Sequence, residues 1–262
     1  MVYVLGCDPG FSTCSFVGFE INRKTLKFKV LFVIKLNFLS LRECCFTDKN
    51  GIKCGKVAHW ASGRKLYSQS YCASHKYKIN GEIVQKIQTS YEKKPVHEIL
   101  TKLKNALIDT FPNPKFDHVF IEDIKKISRR VRGIMQKKWN NTMKEIVNFI
   151  RAYFMITNNP PIKRKEFDIF IVNPTIKFQI RAMPTKLDYI KRKKALSEIM
   201  LNMMKDISPE IVEHHFSKIK KIDDPIDAFA IAFISILKLY EHKINVKKAS
   251  KVLKHVFLTC WE

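Results

Sequence analysis

Residues 2–36, VYVLGCDPGFSTCSFVGFEINRKTLKFKVLFVIKL, decide the fold. Residues 2–6 form a short apolar run that stops at Asp8-Pro9-Gly10, as a central strand stops at a turn. Residues 14–20 and 26–36 are rich in Phe, Val and Ile, and the second partly alternates apolar with basic. They predict two more strands, with the turn at Asn22-Arg23-Lys24. Three strands in succession predict an antiparallel meander.

Outward from this block the pattern changes twice. Residues 40–80 are polar and hold Cys44, Cys45, Cys54, Cys72, His59 and His75, which reads as a small insertion. Residues 82–110 return to helical spacing through Ile83, Ile87, Ile99, Leu103 and Leu107. Residues 116–121 predict a buried strand ending at Glu122-Asp123. Residues 134–157 predict an amphipathic helix stopped by Asn158-Asn159-Pro160-Pro161. Residues 167–172 predict a further strand, 186–206 a basic helix, and 225–240 a helix apolar on nearly every face. The expected architecture is α/β: a mixed five-stranded sheet flanked by helices. Its core takes residues 1–39 and 81–262, with residues 40–80 as the insertion.

The chain has 262 residues, enough for one good-sized core or two modest ones, and its 46% apolar content argues against disorder. Lys and Arg number 48 against 24 Asp and Glu, a net charge of +24 that points to a polyanionic partner, nucleic acid first and an anionic membrane surface second. No stretch of apolar residues is long enough for a transmembrane helix, and the N-terminus lacks the pattern of a secretory signal. Seven cysteines, four of them between Cys44 and Cys72, do not read as an extracellular disulfide framework.

With carboxylates outnumbered two to one, those at strand ends carry information. Asp8 ends the first strand, Glu122 the fourth, and Asp223, Asp224 and Asp227 open the last apolar helix. If the first and fourth strands are neighbours and that helix crosses the sheet, four carboxylates converge. Such a cluster repels itself unless cations or protons enter it. Hard oxygen ligands favour Mg²⁺ or Mn²⁺, and a pair of ions about 4 Å apart suits phosphodiester hydrolysis. Each part also has a purely structural reading. Asp224-Pro225 with Asp227 is a good helix start, Asp8-Pro9-Gly10 a turn, and Glu122 a solvated loop acid.

VLGCDPGFSTCSFVGFE, VFIED and IDDPIDAFAIA together resemble the three acidic motifs of the RuvC-like Holliday junction resolvases, nucleases of the ribonuclease H-like fold. With VNPTIKFQI…KRKKALSEIM, the spacing is most similar to the branch found in large DNA viruses and mitochondria. The resemblance implies that Asp8, Glu122, Asp224 and Asp227 are the catalytic acids. Asp8 would bridge two Mg²⁺ (or Mn²⁺) ions per active site, Glu122 would hold one ion and Asp224 and Asp227 the other, with Asp223 assisting. Asp223 is an extra neighbour that leaves the register of the third acid open. The resemblance further implies a homodimer that nicks four-way DNA junctions symmetrically, in DNA recombination and repair. Its setting would be intracellular, with the host cytoplasm of a viral infection as the candidate site. Bacterial members carry an aromatic wedge after the second acid, where this chain has Ile124, Lys125 and Lys126. Rival readings are another nuclease of the same fold acting on RNA–DNA hybrids or flaps, a non-catalytic nucleic-acid-binding module, and a zinc-bearing membrane-surface protein. The last is disfavoured because the chain lacks a basic amphipathic helix with a clean apolar face.

Cys45, Cys54, Cys72 and His75 have the ligand types for a structural, tetrahedral Zn²⁺, with Cys44 competing for the first position and His59 a weaker substitute. The same segment also reads as a reduced loop with scattered thiols. Cys7, Cys14 and Cys260 lie in apolar runs and read as core thiols. Two basic runs are candidates for phosphate contact: Lys125, Lys126, Arg129, Arg130 and Arg132 after Glu122, and Lys177, Lys186, Lys191 and Lys194 further on. Lys194 or Lys191 is the candidate for steadying transition-state charge. Trp60, Tyr67 and Phe111 are candidates for base stacking, with ordinary packing as the default.

Overall fold

The computed structural model describes residues 1–22, 27–38, 44–52, 54, 56, 58–62, 69–76, 84–86, 95–123, 134–158, 168–178, 189–216 and 223–240. The meander forms as β1 (Val2–Pro9), β2 (Thr13–Ile21) and β3 (Phe28–Asn37). Strands β4 (Trp60–Ser62), β5 (Gln69–Tyr71) and β6 (Val84–Lys86) make a separate small sheet in the order β5-β4-β6. The pairing of β6 with β4 replaces the helical start expected from Ile83 and Ile87. A short apolar run reads either way until a partner strand is known. Then follow α1 (Val96–Thr110), β7 (His118–Glu122), α2 (Ile134–Thr157) and β8 (Asp168–Val172). A 3₁₀ turn (Pro174–Phe178) leads to α3 (Tyr189–Ile207), α4 (Pro209–Phe216) and α5 (Asp223–Leu239). Helix α4 was not expected from the sequence. At two turns it is too short to show a clear period.

The main sheet runs β3-β2-β1-β7-β8, antiparallel through the meander and parallel from β1 to β7 to β8. This mixed five-stranded order with helices on both faces is the ribonuclease H-like arrangement. Because side chains alternate along a strand, each strand feeds two cores. Val2 and Val4 of β1, Phe19 of β2 and Phe120 of β7 pack with α3, α4 and α5. Leu5, Cys7, Phe16, Val119 and Ile121 pack with α1 and α2 on the opposite face. Phe111 belongs to this second core, so it is a packing residue. Among the described residues no helix is long and apolar enough to cross a membrane.

Two irregularities place the site. The first is Gly6, on the α5 face of β1. A Cβ there would run into the carbonyl oxygen of Ala228 and come within 2.8 Å of the Ala232 Cβ. Gly6 and two alanines one turn apart thus let α5 lie almost against the β1 backbone. The second is a shift of register in β3. Gly18 pairs with Phe32 but Phe19 with Val30, so Leu31 is an extra residue. The bulge exchanges the faces of β3 beyond it. Phe28 and Val30 belong to the α5-side core, as does Val33, while Phe32, Ile34 and Leu36 turn to the other. Lys35 is thereby placed on the α5 face.

The Gly6 contact gives a direct test. Gly6→Ala should destabilise the chain by about 2–3 kcal/mol or more, because the obstruction is backbone and α5 must shift as a unit. Urea unfolding of the wild type and this variant measures the difference.

Candidate functional site

The first-to-fourth strand adjacency assumed from sequence is present. Cys7 pairs with Ile121, which makes Asp8 and Glu122 neighbours at the carboxyl ends of parallel strands. Both stand on the α5 face, in phase with Gly6 and Phe120. Helix α5 brings Asp227 over them, one residue before the Ala228 that meets Gly6. One carboxylate oxygen from each of Asp8, Glu122 and Asp227 lies within 4.8 Å of the others. Three acids separated by more than a hundred residues each, counted 8 to 122 to 227, share one half-buried pocket.

The other two acids of the last motif lie outside this group. Asp224 is one turn earlier on α5, and its Oδ2 is held at 2.8 Å by Lys35 Nζ, the lysine that the β3 bulge turns to this face. Asp223 lines a separate cleft with Lys193, Lys194, Ser197 and Glu198. The i, i+3 spacing does place Asp224 and Asp227 near one face, but the axial rise of the helix separates them, and Lys35 claims the first.

Lys177 is the larger departure from expectation. Read as a phosphate-contacting residue, it is instead 3% exposed. Its Nζ donates to Glu122 Oε1 and Oε2 at 3.1 and 3.2 Å and to Asp227 Oδ2 at 2.9 Å. The cause is local. The Asn173 side chain accepts hydrogen bonds from the Thr175 N–H and hydroxyl, and Pro174 is buried, so the chain after β8 curls into the 3₁₀ turn that aims Lys177 back at the sheet edge. Lys193 Nζ reaches the same Asp227 oxygen at 3.1 Å from α3. Lys177 and Lys193 are therefore cations held against the acids. Lys191 and Lys194 are exposed on the first turns of α3. Lys125, Lys126, Arg129, Arg130, Arg132 and Lys186 lie outside the described residues, as do Tyr67 and Cys260.

Protonation follows from burial and like charge. Burial raises the Asp8 carboxyl well above the ordinary range, Glu122 and Asp227 push it further up, and Lys177 only partly opposes them. Glu122 is also raised by burial, with Lys177 pulling it back and a hydrogen bond from Asp8 lowering it. Burial pushes Lys177 down, but Glu122 and Asp227 outweigh it and hold its ammonium above the usual lysine value. Asp227 Oδ1, buried, has no hydrogen-bond partner. A buried carboxylate oxygen left bare beside two further acids fits a divalent cation and is costly without one. The donor set of Asp8, Glu122 and Asp227 is all oxygen, as Mg²⁺ or Mn²⁺ requires.

A second cluster lies in the insertion. Ligand atoms of Cys44, Cys54, Cys72 and His75 lie within 4.8 Å of one another. Cys45, the residue favoured from spacing, is exposed and outside the group. Its Sγ instead faces the Ser70 N–H at 3.5 Å. Trp60 carries Lys76 Nζ 3.7 Å over its ring. Cys7 and Cys14 are buried, as their apolar surroundings suggest.

No family model matches the chain, and no curated protein matches it in sequence. Solved structures do. The fowlpox virus resolvase in complex with its substrate Holliday junction DNA is 11% identical, with a TM-score of 0.45 over 92% of this chain and 98% of that one. T. thermophilus RuvC in complex with a Holliday junction substrate is 10% identical, with a TM-score of 0.48 over 91% and 96%. The yeast mitochondrial Holliday junction resolvase is 13% identical, with a TM-score of 0.46 over 92% and 82%.

The raised carboxyls set a pH dependence. A folded-state value above the unfolded one means the native chain binds the proton more tightly, so this contribution is present at low pH. It is lost as pH rises through the folded value. Asp8→Asn should therefore raise the melting temperature of cation-free protein at neutral pH, with the gain shrinking toward pH 4. It should also remove the Mg²⁺-induced rise expected of the wild type. Thermal melts in EDTA and in Mg²⁺ across that range measure both effects.

Proposed function

We propose that this chain is a Mg²⁺- or Mn²⁺-dependent endonuclease that resolves four-way DNA junctions. The observation that carries the reading is the convergence of Asp8, Glu122 and Asp227, one carboxylate oxygen of each within 4.8 Å of the others, in a chain of net charge +24. Acids that fold brings together against their mutual repulsion ask for a cation. A surface so basic asks for a polyanion. The three acidic motifs and their similarity to junction resolvases supply the substrate class.

Asp8, Glu122 and Asp227 would hold the metal. When bound, it supplies an activated water and neutralises charge on the phosphodiester oxygens. The chain's own groups do the rest. Lys177 ion-pairs with Glu122 and Asp227 and fixes their oxygens at the sheet edge. Lys193, 27% exposed, reaches the pocket from the solvent side and is the cation positioned to meet a phosphate. Asp224, held by Lys35, and Asp223 supply negative charge at the rim. Lys191 and Lys194 extend the basic face along α3. Among the described residues each chain forms one such acidic site, and paired cuts on two strands need two, so we propose a homodimer as the working unit. Contacts to backbone phosphates suit recognition by junction shape.

The test is purified protein incubated with a labelled mobile four-way junction, with and without Mg²⁺. Paired symmetric nicks that need Mg²⁺ are expected. Cutting of RNA in RNA–DNA hybrids alone would sink the junction assignment, and salt-sensitive binding without cleavage would sink the catalytic one. Asp8→Asn and Asp227→Asn should each slow nicking by about 10³-fold or more, the several kcal/mol that metal stabilisation supplies, while junction binding persists.

A further inference from the structure

We infer that the insertion is organised by one tetrahedral zinc ion held by Cys44, Cys54, Cys72 and His75 Nδ1, with Cys45 left outside as an accessible thiol. The inference stands apart from the nuclease reading, since none of these residues touches the acidic site.

The geometry selects the metal and the ligand set. Four ligands at zinc–sulfur distances of about 2.3 Å and a zinc–nitrogen distance of about 2.0 Å put tetrahedral S···S pairs at about 3.8 Å and S···N pairs at about 3.5 Å. Cys54 Sγ and Cys72 Sγ stand 3.8 Å apart. His75 Nδ1 stands 3.4 Å from Cys44 Sγ and 3.3 Å from Cys72 Sγ. A disulfide would need sulfurs at about 2.05 Å, and no pair of cysteines among the described residues forms one. Three thiolates and one imidazole closing on a point leave no position for water, which makes the site structural.

The backbone builds the four positions before any metal is considered. Cys44 and Cys54 stand on the two arms of a hairpin-like loop, tied by Cys44 N–H to Lys56 O and Cys54 N–H to Phe46 O at 2.8 Å each. At its tip Asp48 Oδ1 accepts the N–H of Asn50 and of Ile52, and Gly51 takes a left-handed φ of 79°. Cys72 and His75 come from a turn after β5, closed by the His75 N–H to Cys72 O bond. Phe46 stacks on the His75 ring, centroids 3.9 Å apart, and fixes the plane of the imidazole.

The choice between the adjacent cysteines follows from chain direction. Consecutive residues of an extended segment project to opposite sides. Cys45 donates its N–H to Ser70 O and receives the Ser70 N–H at its sulfur, which turns it toward the β5 edge. Cys44, 3% exposed, then faces inward with Cys72. Spacing counts cannot make this distinction. The register against Ser70 can. The segment also holds little apolar side-chain volume, so metal–ligand bonds take over the role of a core.

The experiment uses the full chain and the metals themselves. Elemental analysis of purified protein should give one zinc per chain. Cys45→Ser should keep it, whereas Cys44→Ser and Cys72→Ser should lose it. Cobalt exchanged for zinc should show sulfur-to-metal charge-transfer bands and the intense visible bands of tetrahedral coordination. His75→Cys, which preserves four ligands, should keep the ion and shift those bands to longer wavelength. That variant guards against loss of metal through misfolding alone. Zinc-free protein from zinc-supplemented expression, zinc retained by Cys44→Ser but lost from Cys45→Ser, or a cobalt spectrum unmoved by His75→Cys would each overturn the assignment. In every arm, Mg²⁺-dependent junction nicking is recorded separately, so a failed nuclease reading leaves the metal result intact.

Discussion

The approach of α5 to the backbone of β1 is the constraint on which the other features rest. Helix and strand meet where neither has a side chain larger than a methyl group, at Gly6 against Ala228 and Ala232. Their closeness brings Asp227 within ligand distance of two strand-borne acids. A larger residue at any of the three positions would lift the helix, and the carboxylate cluster would open with it. The same crossing completes the core that α3, α4 and α5 make with Phe19, Phe28, Phe229 and Phe233, whose rings interlock at centroid distances of 4.8 to 6.3 Å. Hydrophobic packing thus supplies the free energy that holds three negative groups together.

Charge balance settles how that pocket persists. Two lysines converge on one oxygen of Asp227, while its other oxygen is bare. The arrangement is half neutralised. The ammonium groups offset part of the repulsion, and the bare oxygen leaves a place for a cation. Lys35 plays the corresponding part for Asp224, removing that acid from the inner group. The inner group is therefore three carboxylates, where the motif pattern suggested four.

Much of the frame was legible in the sequence because long periodic segments announce themselves. The meander, α2 at residues 134–157 and the apolar α5 all appear as expected, within a few residues at their ends. Asp8, Glu122 and Asp227 were legible because acids are scarce in this chain and these stand at strand and helix ends. What was not legible depends on contacts between distant segments. The burial of Lys177 needs the Asn173 turn and the position of β8 beside β7. The Lys35 ion pair needs a one-residue bulge that alternation alone cannot locate. The strand at 84–86 is revealed by its partner, and Cys44 replaces Cys45 through the register against Ser70.

Chain order adds a consequence for synthesis. The first acid lies in β1, the second follows in β7, and the third comes only with the last described helix. Between those moments β1 has its neighbours on both sides but lacks the cover of α5 on one face. The pocket cannot exist on a nascent chain until that helix has been made and has docked. Whatever chemistry that pocket performs must wait until this late segment has been synthesised.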